Sequence, residues 1–203
     1  MAIPQRRVTK EGFEMQWAVN HLGHFFLTSL LWPKIQKAEA FRVVNVSSLA
    51  HKMPAPGIYS DLDFPNINFE HNYTPELAYG RSKLYNVLFT RALASKIDPQ
   101  KGKVLSLHPG VVRTDLTREM KSEGKGKFVF AFMMLCYPIY WLFSKSAWEG
   151  CQTTLHTTLS ENVENGCYYS DCAKGSENKL VTQENWNKLW QISEESLKLT
   201  FTV

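Results

Sequence analysis

Along the first third of the chain apolar residues return at intervals of three and four: Phe13, Trp17, Val19, Leu22, Phe25, Phe26 and Leu30. That spacing predicts a helix over 12–32 with a wide apolar face, ending at Pro33 and Lys34. The next apolar run, Phe41-Arg42-Val43-Val44-Asn45-Val46, is short and β-branched, as expected of a strand buried in a parallel sheet. Prolines 54, 56, 65 and 75, with Gly57 and several Asn and Asp, mark 51–75 as an irregular connection. A second helical period through Leu77, Tyr79, Leu84, Val87, Leu88, Leu93 and Ala94 predicts a helix over 76–97. After the break at Pro99 and Gly102, a strand is expected over 104–107. Ser146 and Glu149 have capping-box spacing and open a further helix, with Cys151, Leu155, Thr158 and Leu159 as its face. A last strand is expected at 167–170, and Trp186, Leu189, Trp190 and Leu197 mark a terminal amphipathic helix. Helices alternating with short buried strands imply βαβ units, hence an α/β fold with a parallel sheet and helices on both faces.

Composition leaves that picture unchanged. The chain has 203 residues, 44% apolar and 21% charged, which fits one globular domain. Its formal charge of +4 is scattered, with no dense basic block, so no nucleic-acid partner is expected. The cysteines Cys136, Cys151, Cys167 and Cys172 form no CxxC pair and have no histidine at zinc-finger spacing, so no metal site is expected. Reduced thiols point to a cytoplasmic setting, and no apolar h-region follows Arg6 and Arg7.

Candidate chemistry changes the picture more. Tyr79 and Lys83 stand four apart on a predicted helix, so both lie on one face, one turn from each other. An ammonium beside a phenol favours the phenolate, and such a phenol exchanges a proton with an alcohol or carbonyl oxygen. The alternative is that Tyr79 packs on the sheet while Lys83 snorkels. Ser47 and Ser48 follow a predicted strand, and open parallel sheets bind ligands outside the carboxyl ends of their strands. A serine there either holds a substrate oxygen or caps a turn. Pro109 and Gly110 force a turn at the next strand end and bring backbone close to any ligand. Asn20, on an otherwise apolar helix, reads on its own as an asparagine satisfying nearby backbone.

Taken in order, Asn20, Ser47-Ser48, Tyr79-x-x-x-Lys83 and Pro109-Gly110-Val111-Val112-Arg113-Thr114 resemble the short-chain dehydrogenase/reductase family. Asn20-His21-Leu22-Gly23-His24-Phe25, Val44-Asn45-Val46-Ser47-Ser48, His108-Pro109-Gly110-Val111-Val112-Arg113 and Tyr169-Ser170-Asp171-Cys172 look like its retinol dehydrogenase group. The resemblance runs from about residue 3 to about residue 195. It implies a Rossmann-like, doubly wound sheet and an NAD or NADP cofactor. It also implies hydride transfer between nicotinamide and a lipophilic alcohol, aldehyde or ketone. By the same resemblance Tyr79 is the general acid/base, Lys83 holds the nicotinamide ribose, Ser48 orients the substrate oxygen and Asn20 anchors a relay water. Ser47 turns the chain beside the cofactor, and Pro109, Gly110, Val112 and Thr114 are nicotinamide-side contacts.

The sequence departs from the family in one respect, because it contains no Gly-rich dinucleotide fingerprint; Gly124-Lys125-Gly126-Lys127 follows no strand and lacks the spacing. The expectation is a partial sheet lacking the N-terminal βαβ units, which would add on the order of 100 residues and carry the NAD-versus-NADP determinant. The chain is then a fragment of a longer enzyme; the alternative is a truncated, catalytically idle product acting as an interaction protein. Residues 128–143 carry no charge, are rich in aromatics, and are flanked by Lys125, Lys127 and Lys145. They are too short to span a bilayer comfortably and contain Pro138. A lid over a lipophilic substrate, a peripheral contact with the endoplasmic reticulum or another intracellular membrane, and plain core all fit. The two long helices would also suit a homodimer interface, or equally packing on the sheet.

Overall fold

The computed structural model describes residues 3–52, 62–113 and 144–203. The expected apolar segment 128–143, together with Thr114 and Cys136, lies outside the described residues.

Three strands run parallel in chain order, β1 (Phe41–Val46), β2 (Gly102–His108) and β3 (Tyr168–Ser170), and β4 (Ala173–Lys174) pairs antiparallel with β3. The β1–β2 register sets Val43 against Val104 and Asn45 against Ser106. Because side chains alternate across a strand, each sheet face receives every second residue. Val43 and Val104 pack under Phe89 and Leu93 of α2 (Pro75–Ala94), and Asn45 on the same face donates to Thr90 Oγ1 at 2.9 Å. On the other face Leu105, Leu107 and Val44 form a cluster with Val163, Cys167 and Tyr169, and Arg42 Nη1 donates to the Thr157 carbonyl of α3 (Ala147–Leu159) at 2.9 Å. Helices therefore cover both faces of a parallel sheet, as the alternation of elements requires.

The first helix, α1, is continuous through three pieces: Met15–Trp17, a wider π-type turn at Ala18–Leu22, and Gly23–Ile35. Glu14 caps its start, its carboxylate accepting from Trp17 N at 2.8 Å. It begins later than the apolar period suggests and runs through Pro33 rather than stopping there. Its buried face is also narrower than expected: Trp17, Leu22, Phe25 and Trp32 are buried, whereas Val19, Phe26 and Leu30 are exposed. The inserted turn is the reason, since it rotates the following residues off a strict 3.6 period. Trp190 of α4 (Gln183–Leu197) stacks on Phe201 with ring centroids 4.9 Å apart, and Phe25 meets both, closing a core between α1, α2 and α4.

The capping box opening α3 is present in full, with Ser146 Oγ accepting from Glu149 N and the Glu149 carboxylate accepting from Ser146 N. Its buried face, however, is Gly150, Thr153 and Thr157. The expected face is turned outward, with Leu155 and Leu159 exposed. Small residues let α3 approach the sheet closely, and the Thr157 hydroxyl is satisfied by the Thr153 carbonyl one turn back at 3.0 Å.

Candidate active site

The carboxyl ends of β1 and β2 lie side by side, and α2 is tied to the end of β1 through Lys83 and Asn86. Thr74 caps α2 by accepting from Leu77 N, and Pro75 occupies its first position, which fixes where the helix begins. Tyr79 and Lys83 follow on one face. Lys83 Nζ lies 5.9 Å from the Tyr79 ring centroid and donates to the Val46 carbonyl, the last of β1, at 3.2 Å. Asn86, one turn on, donates to the same carbonyl at 3.3 Å. Ser47 Oγ in return donates to the Lys83 carbonyl at 2.7 Å. The end of β1 and α2 are thus joined by three hydrogen bonds, two of them to Lys83. Burial alone pushes the Lys83 ammonium below the ordinary lysine range.

Asn20 sits in the π-type turn of α1, and its Nδ2 donates to Ser82 Oγ at 2.9 Å; that hydroxyl donates onward to the Tyr79 carbonyl at 2.8 Å. Asn20 is therefore attached to the Tyr79–Lys83 turn through one intermediate side chain. Local widenings of this type are frequent at functional sites because they redirect a single side chain. Ser48 is half-buried just beyond β1, where its Oγ accepts from Ala50 N at 3.2 Å.

Pro109 and Gly110 follow β2 directly. Gly110 has φ +94°, and a Cβ there would meet Lys145 Cδ at 2.6 Å. Val112 pairs with Lys145 as an isolated parallel bridge and closes on Gly150, where an added Cβ would lie 2.5 Å from Val112 Cγ2. Lys145 reaches on to Asp171, whose carboxylate it holds below the usual range. Gly110→Ala is expected to cost about 1–2 kcal/mol, from left-handed backbone strain and displacement of Lys145. Thermal denaturation should show it as a fall of roughly 2–8 °C.

Of the sequence-predicted site residues outside 114–143, Ser48 follows β1, Lys83 reaches the last carbonyl of β1 with Tyr79 one turn before it, Asn20 is joined to Tyr79 through Ser82, and Pro109, Gly110 and Val112 follow the adjacent β2. Ser47 proves to be a tie between β1 and α2. Three neighbours carried no signal strong enough to stand out: Ser82 and Asn86, which share the helical spacing of Tyr79 and Lys83, and His51, three residues after Ser48. His51 is fully buried, and burial pushes its imidazole down to about 4. His108, at the end of β2, is also lowered by burial. Among the described residues no cluster of His, Cys, Asp or Glu is arranged to hold a metal ion. Cys151, Cys167 and Cys172 are free thiols, and no described helix is long and apolar enough to cross a membrane.

A parallel α/β sheet with a tyrosine–lysine helix pair, a serine and a Pro-Gly turn near its strand ends defines the class: an open-sheet α/β protein, and proteins of that class bind ligands outside the carboxyl ends of their strands. Comparison with known proteins makes the relationship specific. The chain is 39% identical over 189 residues to human retinol dehydrogenase 14, covering 92% of this chain and 53% of that protein. It is 37% identical over 193 residues to bovine retinol dehydrogenase 12, covering 93% and 56%. An uncharacterized protein from Mycobacterium paratuberculosis superposes with TM-score 0.70 at 26% identity, over 100% of this chain and 65% of that one. NADPH-bound carbonyl reductase from chicken fatty liver shares the fold, with TM-score 0.52 at 18% identity over 86% of this chain and 62% of that one. No protein-family profile matches the chain. The chain is similar in sequence to retinol dehydrogenases, and it spans about half the length of the curated relatives it matches.

Proposed function

We propose that the protein carrying this chain is a nicotinamide-dependent oxidoreductase that interconverts an alcohol and its carbonyl compound on lipophilic, retinoid-like substrates. The observation that carries the reading is the placement of Tyr79 and Lys83 one turn apart beside the carboxyl end of β1, with Lys83 anchored on the Val46 carbonyl. The names of the relatives, retinol dehydrogenases, supply the substrate class.

The residues fit the nicotinamide-ribose end of an NAD or NADP molecule. The half-buried Lys83 ammonium is a donor that reaches past the strand end, and the bare backbone at Gly110 permits close approach. Lys83, Tyr79, Pro109, Gly110 and Val112 would hold that end, with Thr114 as a further contact. The cofactor, when bound, supplies or accepts the hydride.

The chain's own residues do the rest. Tyr79 exchanges a proton with the substrate oxygen, and Ser48 donates a hydrogen bond to the same oxygen. Its hydroxyl accepts from Ala50 N and so keeps its proton for donation. Lys83 supplies positive charge beside the phenol, and Asn20 braces the Tyr79–Lys83 turn through Ser82. The uncharged, aromatic-rich composition of residues 128–143 suits a lipophilic substrate and also contact with a membrane surface.

The test is hydride transfer by the full-length natural protein, followed as nicotinamide absorbance with retinal or a long-chain aldehyde. Reduction with NADPH or NADH at a kcat within the usual enzyme range of roughly 1–10³ per second is expected. No turnover with either cofactor on any alcohol or carbonyl substrate would remove this reading.

A further inference from the structure

The peptide bond between Ser48 and Leu49 is held at both ends by histidines. At one end the Ser48 carbonyl lies 2.6 Å from His51 Nδ1, and it also accepts from His51 N at 3.1 Å. At the other end the Leu49 N–H donates to His108 Nδ1 at 3.2 Å. A carbonyl only accepts and an amide N–H only donates, so the partners fix the ring protons. His51 carries its proton on Nδ1, and neutral His108 carries its own on Nε2.

We propose that His51 and His108, held in opposite neutral tautomers, clamp the Ser48–Leu49 peptide and so position the Ser48 hydroxyl toward the substrate oxygen. The proposal rests on the oxidoreductase reading above. Both histidines are positioning residues, since each acts through the backbone of Ser48 rather than on the reacting atoms.

Each is itself fixed from a different part of the fold. The His51 carbonyl accepts from Asn178 Nδ2 at 2.9 Å, and the Tyr168 ring of β3 meets the imidazole at a centroid distance of 4.6 Å and 61°. His108 is the last residue of β2 and pairs in register with Ser170 of β3. Ser48 lies just outside β1, where no ladder bond constrains it, and a serine there would sample several backbone conformations. Fixing the peptide plane that follows it restricts its ψ, and with it the direction of the Cα–Cβ bond. Burial keeps both rings neutral, as the clamp requires; Lys52 opposes charging of both, Lys145 opposes it at His108, and Asp171 favours it there.

The tautomers are read first, by nitrogen-15 imidazole spectroscopy of the full-length wild-type protein near neutral pH, which needs no variant to fold. The expected result is Nδ1–H for His51 and Nε2–H for His108; any other pair of tautomers overturns the clamp. Function is read next with His108→Ala and His108→Asn, and with His51→Ala and His51→Asn, the amide of asparagine offering an acceptor or a donor near the Nδ1 position. The alanine variants should lose about 10–100-fold in kcat, as misplacement of a reacting group by about an ångström does. Their KM for the nicotinamide cofactor should stay within about twofold, and asparagine should restore most of the loss.

Hydrogen exchange at the Leu49 amide should accelerate in His108→Ala and return toward wild type in His108→Asn. If alanine and asparagine variants are alike in kcat and in exchange, the histidines are merely structural and the positioning role falls. A wild-type protein with the expected tautomers but no hydride transfer would refute the oxidoreductase reading and the positioning role with it. Incorrect tautomers in an active protein would refute the clamp alone.

Discussion

Tyr79→Phe is expected to lower turnover by roughly 10²–10⁴-fold, the usual contribution of a positioned acid/base, while leaving the fold nearly untouched. The substitution removes one oxygen from a half-buried side chain. Among the described residues, the contacts that tie residue 79 into the site run through its carbonyl, which accepts from Ser82, and through the ring face near Lys83. Phenylalanine keeps both. Stability should therefore change by no more than about 0.5 kcal/mol, and calorimetry on the same samples separates that from lost chemistry. Lys83→Met behaves differently, because Lys83 Nζ also joins α2 to the Val46 carbonyl. That variant should lose both turnover and stability, with a lower melting temperature accompanying the lower rate. Near-normal rates in Tyr79→Phe would refute the role given to the phenol, whatever Lys83→Met does.

The placement of the candidate site residues was legible because they sit on elements whose local signals are strong. The β-branched run ending at Val46 marks β1 and, with it, the strand end where Ser47 and Ser48 must lie. Pro75 and the helical period mark α2, and spacing alone then aligns Tyr79 with Lys83. What stayed hidden depends on contacts between distant segments. The π-type turn that redirects Asn20 leaves little trace in a pattern of apolar residues, and its consequence appears only when Ser82, 62 residues away, accepts from it. In α3 the apolar period pointed to Leu155 and Leu159, but the sheet beneath it demanded small residues, so Gly150, Thr153 and Thr157 face inward. The histidine clamp was hidden for a similar reason. Its two rings come from positions 57 residues apart in sequence, and only the adjacency of β1 and β2 brings them to one peptide.

Acid should begin to destabilise this protein before its carboxylates protonate, and the buried rings of His21 and His51 are the main causes. The His21 ring is fully buried and stacks on Trp17 at 4.7 Å; its Nε2 lies 2.9 Å from Ser193 Oγ, whose proton goes to the Leu189 carbonyl. Nε2 must therefore donate, leaving Nδ1 bare in the core, where charging it would bury an unpaired cation. Burial pushes the His21 pKa down to about 3, and that of His51 to about 4. Both lie below the value near 6.5 that an unfolded histidine has. Between those limits the unfolded chain binds more protons than the folded one, so stability is at its full value above pH 6.5 and is lost as pH falls toward 4 and 3. At pH 5 each histidine should have cost about 2 kcal/mol. Denaturant titrations at pH 7 and pH 5 should thus differ by about 4 kcal/mol from these two rings, with His108 adding in the same direction. His21→Gln keeps a donor for Ser193 without a titrating ring and should remove roughly half of that slope, even if its stability at pH 7 is lower. A wild-type protein equally stable at pH 7 and pH 5 would contradict the burial of both imidazoles in neutral form.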